Sequence, residues 1–319
     1  MTVLKTKENS NKGLKDLRIV FMGTPEFAVA SLNALLQAGC NIVGVITAPD
    51  RPAGRGLKLT QSAVKKYAEE KGLHTLQPEK LKNPQFLEDL RNLQADLQIV
   101  VAFRMLPELV WNMPPMGTIN LHGSLLPQYR GAAPINWAII NGEKQTGVTT
   151  FKLQHQIDTG DILLQKPIDI SENETAGELH DEMKEVGAAL LVKTVAGLAE
   201  NSLTQQPQKF ADTEVKHAPK IFTETCKIDW IKPSSEIHNL VRGLSPFPGA
   251  IAQLNNKILK IYRSKVEIIS SPGQPESVHT DHKSYLKFAT SDGYIHVLDL
   301  QLEGKKRMMV EDFLRGYKL

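Results

Sequence analysis

The fold is decided by Leu17-Arg-Ile-Val-Phe-Met22, a short apolar run that stops at Gly23 and continues as Thr24-Pro25-Glu26. The run predicts a buried strand, and we expect Thr24 to cap a helix with Pro25 at its first position. Apolar residues then recur at helical spacing, and Ile42-Val-Gly-Val-Ile46 predicts a second strand. This strand–helix–strand order is typical of the start of a doubly wound α/β sheet.

Further elements of the same sheet are expected along the chain. Helices are predicted at about 62–71, 84–93, 107–111 and 176–199, and strands at 97–102, 117–121, 147–153 and 162–165. The last two strands are expected to form a more antiparallel edge. The sequence therefore predicts an α/β domain over residues 17–202, after a polar, lysine-rich leader at 1–16 that we expect to be flexible.

A second, smaller domain is predicted after a polar segment. Residues 203–220 lack apolar periodicity and are interpreted as a linker. Residues 221–319 contain short strand-like runs separated by turn residues, at 250–254, 258–262, 285–288 and 294–298. Such runs favour a small β-barrel.

Composition excludes several classes of protein. The hydrophobic and charged fractions of 41% and 23% are those of an ordinary globular protein, and no apolar run approaches a membrane span. The two cysteines, Cys40 and Cys226, indicate neither a disulfide framework nor a metal cluster, so we expect a cytoplasmic protein without a metal. The net charge of +3 falls in the segment from Ile221 onward, with 14 Lys and Arg against 11 Asp and Glu. That excess permits nucleic-acid contact but does not require it.

The strongest chemical signal follows the strand predicted at 117–121. There the chain reads Asn120-Leu-His122-Gly-Ser124-Leu-Leu-Pro127. Because side chains alternate along a strand, Asn120 and His122 point to one face, at the carboxyl end where α/β sheets bind ligands. Taken alone, the pair is read more simply as a turn cap and a hydrogen-bonded core histidine.

A second polar constellation lies downstream, at Asp158-Thr-Gly160-Asp161. By itself it is read most simply as a solvated turn. An aspartic protease would need two such loops, and the sequence has one. An Asn, a His and an Asp without a nucleophile motif indicate acid–base and hydrogen-bonding chemistry. This suits transfer of a carbonyl-level group to an amine without a covalent enzyme intermediate.

The chain resembles the folate-dependent formyltransferases. Asn120-x-His122-x-Ser-Leu-Leu-Pro with Asp158 resembles their signature, and Tyr129-Arg-Gly-Ala-Ala-Pro134 and Ala48-Pro-Asp-Arg-Pro-Ala-Gly-Arg-Gly56 are more specific to the branch that acts on a charged tRNA. The resemblance runs from about Leu17 to the C-terminus. It implies a Rossmann-like formyltransferase domain followed by an OB-like β-barrel that binds tRNA.

The resemblance also implies substrates and residue roles. The donor would be 10-formyltetrahydrofolate, and the acceptor the α-amino group of methionine on initiator methionyl-tRNA, in translation initiation. Asn120, His122 and Asp158 would be catalytic. The folate would be contacted by the turn Ser124, Leu125, Leu126 and Pro127. We expect a monomer.

The segment Pro49–Lys58 would, by the same resemblance, reach the tRNA acceptor end. It carries Arg51, Arg55 and Lys58 among Gly and Pro, which interrupt helices and central strands. Without the resemblance, a solvated basic loop would be the simpler interpretation. One departure from the family pattern follows the strand at 97–102, where Phe103-Arg104 places a large cation where Gly is common.

Three alternatives remain. A formyltransferase of the same fold could act on a small-molecule amine, either glycinamide ribonucleotide or an amino sugar, although the basic loop and second domain argue against it. A tRNA-binding module with a decayed catalytic domain would not need the intact trio. A nicotinamide oxidoreductase would need the G-x-G-x-x-G turn, which is missing after the first strand.

Overall fold

The computed structural model describes residues 13–53, 58–209 and 214–317. Most of the predicted leader (residues 1–12) and the predicted tRNA-binding residue Arg55 lie outside these ranges, and at Lys58 only the backbone is described. None of the helices in the described ranges is both long enough and apolar enough to span a bilayer.

The helices are α1 Glu26–Gln37, α2 Ala63–Glu70, α3 Pro84–Asn92, α4 Glu108–Trp111, α5 Pro134–Ile140, α6 Ala176–Ala199, α7 Thr223–Cys226, α8 Ser234–Gly243 and α9 Val310–Gly316. The strands of the N-terminal half are β1 Arg18–Gly23, β2 Asn41–Ile46, β3 Arg51–Ala53, β4 Lys58–Thr60, β5 Thr75–Leu76, β6 Leu97–Val101, β7 Thr118–His122, β8 Arg130–Gly131, β9 Gln145–Lys152 and β10 Ile162–Asp169. Those that follow are β11 His217–Ala218, β12 Ala250–Leu254, β13 Lys257–Ile268, β14 Val278–Thr280, β15 Leu286–Ala289, β16 Gly293–Leu302 and β17 Met308–Met309.

The larger sheet has the order β10-β9-β7-β6-β1-β2-β5. Strands β1, β2, β5, β6 and β7 are parallel, and β9 pairs antiparallel with β7. The chain leaves β1 first toward β2 and later returns to β6 on its other side. That reversal is the topological switch point beside which α/β sheets bind ligands. The predicted doubly wound α/β domain with an antiparallel edge is confirmed.

The start of α1 differs from the prediction by one residue. Pro25, and not Thr24, is the N-cap, because its ψ of 176° keeps it extended, and it makes no side-chain cap bond. The Thr24 carbonyl instead accepts a hydrogen bond from the backbone amide of Val64, at the start of α2. Close packing at this turn requires glycine at Gly23, where a Cβ atom would lie 2.5 Å from that of Ala28.

The core of the parallel sheet explains why its strands are mostly apolar runs. Every residue of β6 is buried, and Ile19, Val20, Phe21 and Met22 of β1 are fully buried. Helices cover both faces of such a strand, so most of its residues are apolar, and the one polar residue of β6, Gln98, accepts a hydrogen bond from the Thr118 hydroxyl. Each fully buried large apolar side chain contributes about 1.5–3 kcal/mol relative to exposure.

The C-terminal sheet is antiparallel and curls into a half-barrel, with the order β12-β13-β16-β15-β14 and β17 paired to β16. This confirms the predicted small β-domain. Helices α8 and α9, which were not predicted, contribute Ile237, Val241, Phe313 and Leu314 to its core. Ile237, Leu240 and Val241 recur at helical spacing in α8, so this helix carried a sequence signal that the strand-based interpretation of the segment passed over.

Backbone contacts divide the chain into two compact units. The first comprises residues 1–127, 147–166 and 183–212, and the second comprises 128–146, 167–182 and 213–319. The predicted division into 17–202, a linker at 203–220 and 221–319 stays a prediction.

Candidate active site

Strand β7 places Asn120 and His122 at the carboxyl end of the parallel sheet. Asn120 lies between Val100 of β6 and Phe151 of β9, and His122 lies opposite Thr149 of β9. The two side chains share a face because side chains alternate along a strand. Asn120 is half-buried, whereas His122 is 6% exposed, with its ring edge-on to that of Phe151 at 6.4 Å.

The structure brings Asp158 to His122. The distance between His122 Nδ1 and Asp158 Oδ2 is 3.9 Å, with both side chains largely buried. This separation exceeds a direct hydrogen bond but keeps the carboxylate within Coulombic range of a protonated imidazole. The three residues predicted as catalytic therefore lie on one strand end and on the loop that faces it.

The loop that carries Asp158 is held in an uncommon conformation. Asp158 has a φ of 53°, in the left-handed region that costs energy for residues other than glycine. The Gln208 side-chain amide donates to the carbonyls of Asp158 (2.9 Å) and Gly160 (2.8 Å). Gly160 is required because a Cβ atom there would lie 1.6 Å from the Lys152 carbonyl oxygen. Gln208 lies in the segment predicted as a linker, and no sequence pattern indicated its role.

The turn at Ser124–Pro127 is supported by two polar side chains of β9 and β10. The Thr149 hydroxyl donates to the Ser124 carbonyl (2.6 Å) and accepts from the Leu126 amide (3.2 Å). The Gln165 amide donates to the Leu126 carbonyl and to the Thr149 hydroxyl, each at 2.9 Å. Ser124 and Leu126 are buried, whereas Leu125 and Pro127 are half-buried. Sequence analysis missed Thr149 and Gln165, and their only signal is polarity inside apolar strand runs.

The basic segment was predicted to lack helix and central strand, and its flanks form a two-stranded ribbon. Arg51 pairs with Thr60 and Pro52 with Leu59. Proline is tolerated there because an isolated ribbon leaves one side of each strand free of ladder bonds. The Arg51 side chain is exposed. Nothing described in the structure assigns it a ligand.

Asp50, the residue before the ribbon, is held by one ion pair and one neutral hydrogen bond. Asp50 accepts from Lys65 Nζ and from Gln77 Nε2, each at 2.8 Å. The hydrogen bond from Lys65, and then that from Gln77, lowers the pKa of the Asp50 carboxyl. The base of the ribbon is therefore anchored to α2 and to the segment after β5.

Arg104, the departure noted after β6, is also engaged. Its two terminal nitrogens donate to the backbone carbonyls of Glu79 (2.8 Å) and Pro78, and its guanidinium lies 5.4 Å from the centre of the Phe103 ring. Burial, and then the charge of Arg51, lowers the pKa of Arg104, although an arginine stays protonated at neutral pH. The cation thus ties the loop after β6 to the 78–79 segment.

Comparison with known sequences gives a match along almost the whole chain. Residues 17–195 match the family model described as formyl transferase, and residues 220–318 match formyl transferase, C-terminal domain. The methionyl-tRNA formyltransferase of Parabacteroides distasonis is 54% identical over 313 residues, which cover 95% of this chain and 97% of that protein. The methionyl-tRNA formyltransferase of Bacteroides fragilis is 50% identical over 316 residues, 96% of each chain.

Solved structures show the same fold at lower identity. The sugar 3N-formyl transferase WlaRD, crystallised in the presence of dTDP and 5-N-formyl-THF, has a TM-score of 0.65 at 22% identity, covering 91% of this chain and 99% of that one. The N-formyltransferase from Helicobacter canadensis, in complex with folinic acid and dTDP-3-aminofucose, has a TM-score of 0.64 at 20% identity, covering 92% and 100%.

Proposed function

This chain belongs to the formyl transferase family, and on that premise we propose that it formylates the α-amino group of methionine on initiator methionyl-tRNA, with 10-formyltetrahydrofolate as donor. The observation that carries the proposal is identity of 50–54% to methionyl-tRNA formyltransferases over 95–96% of the chain, so that both the strand-end site and the C-terminal sheet are included. The product is N-formylmethionyl-tRNA for translation initiation. A cytoplasmic location and a monomeric state are part of this proposal.

Asn120 and His122 act on the formyl oxygen in this proposal. Attack by the neutral amine on the formyl carbon moves negative charge onto that oxygen. The Asn120 amide is a hydrogen-bond donor on the face it shares with His122, and such a donor can stabilise the developing negative charge. A direct attack needs no enzyme nucleophile.

In this proposal His122, assisted by Asp158, transfers the proton from the attacking nitrogen to the departing nitrogen. The attacking nitrogen must lose a proton, and the departing nitrogen of the donor must gain one. The His122 imidazole can accept and return a proton, which is general acid–base catalysis. Asp158 places a carboxylate oxygen 3.9 Å from Nδ1, next to the ring that carries the proton during the transfer.

The donor is assigned to the Ser124–Pro127 turn, where Ser124, Leu125, Leu126 and Pro127 contact the folate through their backbone. Thr149 and Gln165 hold the shape of this turn by bonding to the Ser124 carbonyl and to the amide and carbonyl of Leu126. A carbonyl that accepts one hydrogen bond can still accept a second, so the two carbonyls stay open to the donor. The 5-N-formyl-THF present with WlaRD and the folinic acid in the Helicobacter canadensis enzyme support this class of donor.

In this proposal the charged tRNA contacts the basic ribbon, and residues 221–319 form a second contact with it. Arg51, Arg55 and Lys58 would pair with phosphates of the acceptor end, because long cationic side chains neutralise a nucleic-acid backbone. The domain limits 17–202, 203–220 and 221–319 belong to this proposal. The described ranges contain no cluster of three residues suited to hold a metal, and independence from metals is proposed on the chemistry alone.

The test is formyl transfer with three acceptors in parallel. The protein is incubated with 10-formyltetrahydrofolate and charged initiator tRNA, glycinamide ribonucleotide or an amino sugar nucleotide. Product is scored as N-formylmethionine released from tRNA or as the formylated small molecule. We expect formylmethionine only, and unchanged activity in the presence of a chelator. Transfer to a small amine with none to tRNA would contradict the proposal and favour the alternative.

A further inference from the structure

The loop that joins β9 to β10 carries Asp158, and we call residues 153–161 the Asp158 loop. Its outer part, residues 154–157, is exposed to solvent, whereas the Asp158 side chain is only 13% exposed. At the base of the loop the Lys152 amide donates to the Asp161 carbonyl at 2.9 Å. Segments that bury few apolar side chains are held mainly by hydrogen bonds and open readily when those bonds are lost. The position of the Asp158 carboxylate therefore depends on what holds this loop.

A segment that follows α6 lies against the start of β10. We call residues 203–208 the return segment, and they belong to the same compact unit as the Asp158 loop. The Gln206 amide donates to the Ile162 carbonyl at 2.9 Å, and the Ile162 amide donates to the Gln206 carbonyl at 2.8 Å. This pair is an antiparallel bridge, so the position two after Gln206 faces the position two before Ile162. The bridge thereby brings Gln208 to Gly160.

The Gln208 side chain supports the loop from that position. Its Nε2 atom donates to the carbonyls of Asp158 and Gly160, at 2.9 and 2.8 Å, so one amide group serves two carbonyls of the same turn. The turn needs such support, because the φ of 53° at Asp158 is unfavourable for a residue with a side chain. A strained backbone persists only where its surroundings hold it, and Gln208 supplies two of the hydrogen bonds that do so.

We propose that Gln208 is a positioning residue: it holds the Asp158 carboxylate beside His122 and touches neither substrate itself. For what Asp158 does, this inference rests on the proposed function. Displacement of a catalytic group by about 1 Å can cost about 10²-fold in rate, so a hydrogen bond outside the site can control turnover. The turn assigned to the folate is held by other side chains, Thr149 and Gln165. Loss of the Gln208 amide should therefore lower kcat and leave substrate affinity unchanged.

The first measurement separates kcat from KM in the full chain. Initial rates of formyl transfer are recorded while 10-formyltetrahydrofolate and charged initiator tRNA are varied separately. Gln208→Met keeps the length of the side chain but removes the amide, and we expect kcat to fall about tenfold with both KM values unchanged. Gln205→Met is the matched control, because it makes the same substitution at an exposed side chain of the return segment. It should leave kcat and both KM values as in the parent protein.

A double-mutant cycle distinguishes positioning from a general structural role. If Gln208 acts through the Asp158 carboxylate, Gln208→Met should cause no further loss of kcat once Asp158→Ala has removed that group. An additional tenfold loss in the double variant would show that Gln208 acts independently of Asp158 and would overturn the inference. A raised KM for either substrate with an unchanged kcat would also overturn it, because Gln208 would then contribute to binding.

Hydrogen exchange gives a readout that does not depend on activity. In the substrate-free protein, the backbone amides of the Asp158 loop should exchange faster in Gln208→Met and at the parent rate in Gln205→Met, with thermal melting unchanged in both. Loop exchange at the parent rate in Gln208→Met would overturn the inference. Absence of formyl transfer to tRNA by the parent protein, with faster loop exchange in Gln208→Met, would contradict the proposed function and leave the support of the loop by Gln208 standing.

Discussion

The two sheets of this protein distribute their polar side chains in different ways. In the parallel sheet the strands are buried on both faces, and Asn120 and His122 stand where β7 ends. In the antiparallel C-terminal sheet one face is free of the core along its whole length, and polar residues alternate with apolar ones. The polar side chains of the parallel sheet therefore lie together at a strand end, whereas those of the antiparallel sheet are distributed along one face.

The comparison predicts different sensitivities to substitution. A single substitution in a compact catalytic site should abolish most of the activity, because each residue has its own role. A single substitution on an extended binding face should lower the affinity only partly, because many residues share the contact.

The largest effect is expected for the strand-end trio. His122→Ala, Asp158→Ala and Asn120→Ala should each lower the rate of formyl transfer by roughly 10²-fold or more, because acid–base and oxyanion groups contribute that much. His155→Ala is the matched control, since His155 is an exposed histidine of the same unit paired with Glu108. Near-normal turnover in any of the three variants would show that its assigned role is wrong.

The next largest effect is expected when the hydrogen bonds that support the Ser124–Pro127 turn are removed. Thr149→Val removes the hydroxyl that bonds to the Ser124 carbonyl and the Leu126 amide, and leaves two buried groups short of a partner at about 1–3 kcal/mol. We expect the KM for the folate donor to rise about tenfold, as a loss of that size implies. The KM for charged tRNA should stay unchanged.

Thr150→Val tests whether this result is specific to the turn. Thr150 is equally buried on the same strand, but its hydroxyl contacts Leu164 and Thr194. It should lower thermal stability and leave the donor KM unchanged. A rise in the tRNA KM for Thr149→Val, with an unaltered folate KM, would reverse the assignment of the turn.

A smaller effect is expected from one charge on the basic ribbon. Arg51→Ala should raise the KM for tRNA and reduce the salt slope of tRNA binding by about one, while folate binding is unchanged. Lys66→Ala removes an exposed lysine on α2 and serves as the control. If the triple variant of Arg51, Arg55 and Lys58 formylates tRNA normally at physiological salt, the ribbon is only a solvated surface feature.

The difference between the sheets also explains how much the sequence could predict. The run Leu97–Ala102 predicts β6 to within one residue, because a strand buried on both faces is mostly apolar, here with Gln98 as the one polar residue. The helix predicted at about 62–71 is also present as α2, whose N-cap Ser62 accepts a hydrogen bond from the Lys65 amide. Signals within a few residues are thus sufficient for these elements.

What could not be predicted depends on partners far away in the chain. Gln208 reaches the carbonyl of Asp158 fifty positions earlier, and Thr149 reaches the turn at Ser124 from another strand. Neither contact leaves a local pattern. The roles of the trio, the turn and the ribbon remain predictions.

The smallest effect concerns the start of α6, in the same compact unit as the antiparallel sheet. Thr175 and Glu178 form a capping box: the Thr175 amide donates to the Glu178 carboxylate at 2.9 Å, and the Glu178 amide donates to the Thr175 hydroxyl at 3.3 Å. The backbone hydrogen bond from Thr175, then its hydroxyl and the Arg263 guanidinium, lower the pKa of Glu178 from 4.5 to about 2. Because the pKa is lower in the folded protein, the charged carboxylate stabilises the fold above about pH 4.5, and this contribution is lost as pH falls toward 2.

The substitution Glu178→Gln keeps a capping side chain but removes the charge. It should lower the free energy of unfolding by about 0.5–1 kcal/mol at neutral pH, a modest value because half of the side chain is in solvent. The deficit relative to the parent protein, measured by chemical denaturation, should shrink between pH 6 and pH 3.5, whereas Glu182→Gln, at an exposed position of the same helix, should show no deficit at either pH. A deficit that stays constant across this range would mean that the capping geometry, and not the charge, stabilises the helix start.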